Sequence, residues 1–210
     1  MRPHNRLDRE DLPDIPEYVV ADSLPSWMKA QLRGLGERNG EVVGRHLAMV
    51  LEYLEDVPEL AYKHARAAAD RAGRIAIVRE YAGLTSYYTE RYGEAVRELR
   101  TYQRMTGEQH HSEILADALR GIGKPGDAVE LAAAVNAADL DPDEAFELAV
   151  VTAGARGDLG QFGAARAELG RLLRGELDPE RRRRAEQALE RIEALASGAD
   201  PATQEFVDAE

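Results

Sequence analysis

The sequence contains no cysteine, so it can form neither a disulfide framework nor a thiolate metal site. It also lacks any apolar run approaching the roughly 20 residues that cross a bilayer as a helix. Met1 is followed by charged residues instead of the apolar core of a signal peptide. These absences predict a cytoplasmic protein that does not enter a membrane. No stretch alternates apolar and polar residues as an amphipathic strand does, so we expect an all-α fold.

Basic residues are scarce in the C-terminal half of the chain. Residues 106–210 carry 11 basic and 22 acidic side chains, and no Lys or Arg occurs between Lys124 and Arg156. Such a charge distribution repels phosphate backbones and attracts cations or basic peptides. It therefore disfavours nucleic-acid binding by the helical body. Solubility alone is a second explanation for the acidic excess.

A segment of about 34 residues repeats along the chain, which is the period of a stacked helix-turn-helix unit. Each copy has a small residue after a turn: Ala61, Ala95, Ala128 and Ala165. The three later copies are each preceded by a helical stretch with its own small residue: Gly83, Ala116 and Ala153. Small side chains allow two helices to cross closely, so these positions predict the crossing points of paired helices.

Proline, glycine and capping residues predict where the helices begin and end. Asp141-Pro142 and Asp178-Pro179 combine a capping carboxylate with a proline suited to the first helical turn. Together with the apolar spacing, such signals predict helices at 58–72, 74–89, 92–106, 111–122, 125–137, 142–156, 160–174 and 179–196. The resulting domain map has a loosely ordered arm (1–24), a helical repeat domain (25–197) and a flexible tail (198–210). Its repeat units are expected at about 42–75, 76–108, 109–142 and 146–177, followed by the terminal helix.

The arrangement of small and aromatic residues resembles the tetratricopeptide repeat (TPR) over roughly residues 42–175. The matching positions are Gly83, Tyr92 and Ala95, then Ala116, Leu119, Gly123 and Ala128, then Ala153, Gly160, Phe162 and Ala165. Segments 76–84 and 151–156 are also similar to an actinobacterial TPR-containing family of unassigned function. The resemblance implies a right-handed α-α superhelix of about four helix pairs with a capping helix at each end. It also implies a protein-binding scaffold and no particular partner.

In TPR folds the first helix of each pair lines a concave groove, so the resemblance implies a set of partner-binding residues. In the first two units these are His46, Val50, Tyr53, Glu80, Leu84, Tyr87 and Tyr88. In the last two units they are His110, Glu113, Asp117, Arg120 and Glu147. The first set is aromatic and apolar and the second largely acidic, which suits a basic peptide with an apolar anchor. The alternative, in which the three tyrosines fill core between repeats, stays open.

No motif of a catalytic site or phosphate-binding loop occurs, so we expect neither enzymatic activity nor a cofactor. His110, His111 and Glu113 lie together at a helix start and are residue types that ligate metals. One turn supplies too few ligands, however, so we expect a solvated loop without a metal. The acids of residues 139–143 resemble the opening of a calcium loop, but the glycine and the final glutamate of that motif are absent. Helix capping is the better explanation for them.

Two further features have plain structural explanations. Trp27 is expected to be buried against the first repeat, with an exposed anchor for a partner as the alternative. The basic run Arg181–Arg184 is expected to pair with acids within reach on its own helix, namely Glu180, Glu186, Glu190 and Glu193.

The leading functional hypothesis is a non-catalytic adaptor or scaffold that binds a protein or peptide in its groove. A self-assembling structural module, in which the chain forms a homo-oligomer, is one alternative. The other is an RNA- or ribosome-associated factor acting through Arg2, Arg6 and Arg9 of the N-terminal arm.

Overall fold

The computed structural model describes residues 13–198, and every regular element in that range is helical. The α-helices are α1 (Ser26–Leu32), α2 (Glu37–Tyr53), α3 (Pro58–Ala72), α4 (Ala76–Tyr88), α5 (Tyr92–Thr106), α6 (Ser112–Gly121), α7 (Pro125–Ala134), α8 (Pro142–Asp158), α9 (Phe162–Arg174) and α10 (Pro179–Ser197). Short 3₁₀ turns occupy Ala21–Ser23 and Ala137–Asp139. The all-α prediction is confirmed. None of the helices within the described range is long and apolar enough to cross a bilayer.

The chain divides into two compact units, residues 1–108 and residues 109–210. In the N-terminal unit α2 packs on α3, α3 on α4, and α4 on α5, while α1 packs on α2 and α4. In the C-terminal unit α6 packs on α7 and α8, and α8 packs on α9 and α10. Each unit is therefore built from packed adjacent helix pairs. The division coincides with the boundary between two predicted repeat units.

From residue 58 onwards the predicted helix boundaries agree with the observed ones to within two residues, except at the end of α7. This helix was expected to reach residue 137, but it ends at Ala134. The Asn136 side-chain oxygen accepts a hydrogen bond from the backbone N–H of Ala138, a local turn that competes with helix continuation. The predicted caps are present: Asp141 accepts two backbone N–H groups of α8 and Asp178 two of α10.

The small residues that mark the repeat lie where helices cross, as predicted. Six of them are fully buried: Ala61, Ala95, Ala116, Ala128, Ala153 and Ala165. At Gly83 a Cβ atom would lie 2.6 Å from Cγ of Leu99 and 3.2 Å from its backbone nitrogen. Since Leu99 is itself fully buried, the glycine permits an approach of α4 to α5 that no larger residue allows.

We expect Gly83→Ala to lower the free energy of unfolding by up to about 2 kcal/mol in net terms, because the added methyl group overpacks the α4–α5 contact at a cost of about 1–3 kcal/mol. The loss should outweigh the gain of about 1 kcal/mol from replacing glycine inside a helix. Gly93→Ala is the matched control, since a Cβ there meets no heavy atom within 4 Å. Chemical denaturation should show the control to be neutral or stabilised. Equal effects at the two positions would contradict the crossing role of Gly83.

Residues 13–24 pack against α2. A loosely ordered arm was expected for residues 1–24, so this part of the arm is more ordered than predicted. The Arg45 guanidinium donates hydrogen bonds to three backbone carbonyls of this segment, including that of Val19 at 2.7 Å. Val19 and Leu24 are buried. A Cβ at Gly44 would lie 2.4 Å from a side chain of the 3₁₀ turn, so the backbones approach closely there. Apolar anchors and a single arginine thus hold a segment whose composition alone indicated disorder.

The remaining terminal predictions fall on residues 1–12 and 199–210, which lie outside the described residues. They include Arg2, Arg6 and Arg9 of the RNA-binding alternative and nearly all of the predicted tail.

Trp27 lies on the outer side of α1, so the expectation that it is buried was wrong. Its exposed fraction is 54%. Leu24, Met28 and Leu32 recur every four residues and enter the core of the N-terminal unit, where Met28 is fully buried. A helix turns about 100° per residue, so the side chain preceding Met28 points away from that core. Trp27 is therefore an accessible aromatic side chain.

Candidate functional sites

The groove residues predicted in the N-terminal unit differ in burial. Three belong to the core: His46, Val50 and Leu84. Three are half-buried: Tyr53, Glu80 and Tyr87. Tyr88, with an exposed fraction of 51%, is the accessible aromatic side chain of the set. Core packing therefore explains the first three, and Tyr88 is the most exposed residue of the predicted set in this unit.

Tyr88 ends α4 and belongs to a group of three tyrosines. The Tyr87 ring meets that of Tyr88 edge-on at a centroid distance of 5.6 Å and that of Tyr92 at 5.8 Å. Tyr87 is thus held between a neighbour on its own helix and the first residue of α5. The contact with Tyr87 leaves half of the Tyr88 surface open, which gives an accessible aromatic ring with a polar hydroxyl.

His46 pairs with His64 in the interface of α2 and α3. Their Nδ1 atoms are 3.0 Å apart, so one imidazole donates a hydrogen bond and the other accepts it. The Tyr53 ring stacks on His64, whose Nε2 atom is buried without a hydrogen-bond partner. Burial is the main cause that lowers the pKa of each imidazole to about 4. The pair is neutral at pH 7, which fits a core role for His46.

Three of the predicted groove residues in the C-terminal unit form ion pairs. Arg120 bonds to Asp117 at 2.9 Å and, through Nε, to Asp158 at 2.8 Å. Glu147 on α8 accepts from Arg184 on α10 at 2.7 Å. The acidic wall expected here is thus partly neutralised, by Arg120 of the same set and by Arg184 of α10.

Arg181 and Arg184 of the basic run pair with acids of α8 and not with the four predicted acids of their own helix. Arg181 also lies 3.5 Å from Asp178, the cap of α10. Besides the Arg184–Glu147 pair, Arg181 bonds to Asp143 and lies 5.8 Å from the ring centroid of Phe146. These residues line a shallow depression of about 400 Å³ at the start of α10. Only the packing of α10 on α8 creates these partners, so helical spacing could not reveal them.

His110 and His111, at the start of α6, meet Glu144 from the start of α8. The His110 Nδ1 atom is 3.1 Å from both carboxylate oxygens of Glu144, and the backbone N–H of His111 donates to one of them at 3.2 Å. Glu144 also accepts the backbone N–H of Asp141 and so completes a capping box. The side chain that begins α8 therefore also anchors the start of α6.

Glu113 completes a cluster with His111 and Glu144. One ligand atom from each of the three side chains lies within 4.8 Å of the others. The Oε2 atom of Glu113 is buried without a hydrogen-bond partner, and burial raises the pKa of this carboxyl group, with Glu144 and Asp141 adding to the effect. The sequence motif at 110–113 contains two of these residues, but the third, Glu144, lies on another helix, and no spacing along the chain indicates it.

Comparisons of the chain with protein-family models, with curated proteins and with solved structures found no match.

Proposed function

We propose that the protein is a non-catalytic interaction module, an adaptor or scaffold that binds a peptide segment of a partner protein. The observation that carries the proposal is Tyr88, a half-exposed aromatic side chain at a position where the TPR resemblance expects ligand contact. Packed helix pairs with small residues at their crossings support a TPR-like unit. A right-handed superhelix and a cytoplasmic location belong to the same proposal.

The face of α4 around Tyr88 suggests the chemistry of the partner. Tyr88 lies at the exposed end of α4, one turn beyond the buried Leu84, and Glu80 is half-buried two turns before it. Glu80 and Tyr88 are eight residues apart, which corresponds to about 12 Å along the axis. An extended peptide that places an apolar side chain against Tyr88 and carries basic residues besides would suit this position.

Tyr88→Ala tests this proposal with little disturbance of the core. A random peptide library displayed on phage would be selected on the purified wild-type chain, and enriched peptides would be measured by isothermal titration calorimetry. We expect basic peptides with an apolar anchor and an affinity loss of about tenfold or more for Tyr88→Ala, as for a hot-spot aromatic residue.

Tyr18→Ala is the matched control, because Tyr18 is 77% exposed and lies in the N-terminal segment instead of on α4. It should leave the peptide affinity unchanged. If no peptide is enriched, or if both tyrosine variants bind equally well, the face of α4 is not the binding surface.

A self-assembling module is the second candidate, favoured by the exposed indole of Trp27. A second copy of the chain could cover this side chain of α1. Sedimentation velocity of the wild type and of Trp27→Ser tests the idea. A wild-type chain that sediments as a monomer over a wide concentration range would rule it out.

A further inference from the structure

We propose that His111, Glu113 and Glu144 form a binding site for a divalent transition metal ion such as Zn²⁺. The site lies within the C-terminal unit, where the packing of α6 on α8 brings two helix starts together. It is independent of the peptide surface proposed on α4.

The donor atoms have the composition and spacing of a zinc site. An imidazole nitrogen and two carboxylate oxygens lie within 4.8 Å of one another. Bonds of about 2.0–2.2 Å in a tetrahedral site place ligand atoms roughly 3.4 Å apart, which small side-chain rotations would achieve. Three protein ligands would leave the fourth position of a tetrahedral site to a water molecule.

The mixture of nitrogen and oxygen donors selects the class of metal. Ca²⁺ and Mg²⁺ prefer sites made of oxygen ligands alone, and Ca²⁺ takes six to eight of them. Imidazole combined with carboxylate suits Zn²⁺ and other late first-row ions. The cluster therefore favours Zn²⁺ over the alkaline-earth ions.

The buried oxygen of Glu113 is the second observation in favour of a cation. A carboxylate oxygen shielded from water and without a donor is costly to the fold. The charged groups that face it are the carboxylates of Glu144 and Asp141 and the imidazole of His111, so negative charge predominates. A bound cation would provide the counter-charge that this arrangement lacks.

Hydrogen bonds to the backbone hold Glu144 in place before any metal binds. Its oxygens accept the N–H groups of His111 and Asp141. Such outer contacts orient metal ligands and raise affinity in known sites. The capping box of α8 would therefore also position a ligand.

Calorimetric titration of ZnCl₂ into the untagged, chelator-treated full chain tests the proposal. We expect one Zn²⁺ per chain, with affinity lowered at least tenfold by Glu113→Gln and by His111→Asn. Asparagine is chosen because His111 has φ +62°, a left-handed conformation that asparagine tolerates. The matched control is Glu130→Gln, a change at an exposed acid on α7, which should bind Zn²⁺ like the wild type.

A second measurement separates the site from unspecific binding to acidic residues. Zn²⁺ should raise the unfolding temperature of the wild type and of Glu130→Gln, but not that of the two ligand variants, whose helix content is checked by circular dichroism. If a ligand variant does not fold, Glu144→Gln, which keeps an acceptor oxygen, takes its place. Absent Zn²⁺ binding, equal binding by all variants, or a preference for Ca²⁺ or Mg²⁺ would overturn the proposal.

Discussion

Lowering the pH from 7 to about 4 is expected to destabilise the N-terminal unit by several kcal/mol. The cause is the buried pair of His46 and His64, whose pKa values are lowered to about 4 from an ordinary value of 6.5. Between these values the unfolded chain binds protons that the folded chain does not. Stability is therefore complete at pH 7 and is lost as the pH falls through this window. A shift of this size corresponds to roughly 3 kcal/mol for each imidazole, since one pKa unit is about 1.4 kcal/mol.

Denaturant titrations over this pH range would measure the loss, and hydrogen exchange of peptides from α2 and α3 would locate it in the N-terminal unit. NMR titration of the imidazole protons would test the cause directly. Imidazoles of His46 and His64 that titrate near pH 6.5 would contradict the prediction.

Carboxylates also titrate in acid, so variants are needed to assign the effect to the histidines. The double change His46→Leu with His64→Leu removes both imidazoles, and we expect a flatter dependence of stability on pH between 6.5 and 4. His110→Gln is the control, because it removes a half-buried histidine of the C-terminal unit and leaves the pair intact. In this variant the stability of α2 and α3, measured by hydrogen exchange, should still depend steeply on pH.

The helices were predictable because their signals are local. A capping carboxylate followed by proline, as at Asp141 and Asp178, acts within one turn. The positions of the buried alanines were also predictable, because these small residues recur at regular steps along the chain. The prediction failed for α7, where the side chain of Asn136 offers the backbone a competing turn.

The candidate sites were harder to predict because they depend on the rotation of each helix and on tertiary contacts. To assign Val50 and Leu84 to a groove, one must know how α2 and α4 are rotated about their axes. In the structure both side chains are buried in the core. A shift of one residue turns a side chain by about 100°. The partner of His111 lies on another helix, at Glu144. No spacing along one helix indicates such a pair.

The ion pair of Arg79 and Glu98 is expected to be among the most sensitive polar contacts of the N-terminal unit. The Glu98 side chain is only 5% exposed, and Arg79 Nη1 donates to its carboxylate at 2.5 Å. Arg79 also donates through Nε to the carbonyl of Gly73, just beyond the end of α3. A single arginine thus connects three successive helices.

We expect Arg79→Met to lower the free energy of unfolding by about 3 kcal/mol, because it leaves a buried carboxylate without its main counter-charge. Arg97, 3.6 Å from the other oxygen of Glu98, is 59% exposed and should compensate only in part. Adding Glu98→Leu removes the unpaired charge, so the double variant should recover a large part of the loss. Chemical denaturation of the wild type, of Arg79→Met, of Glu98→Leu and of the double variant completes a double-mutant cycle.

The exposed pair of Arg166 and Glu193 provides the matched comparison. It has two nitrogen–oxygen distances of 2.7 Å, but its side chains are 42% and 53% exposed. Water can replace the lost partner there, so Arg166→Met should destabilise the chain far less than Arg79→Met does. Burial, not the geometry of the hydrogen bonds, would then determine the larger effect at Arg79. Equal losses for Arg79→Met and Arg166→Met would show that the pair on α4 and α5 is as dispensable as a surface contact.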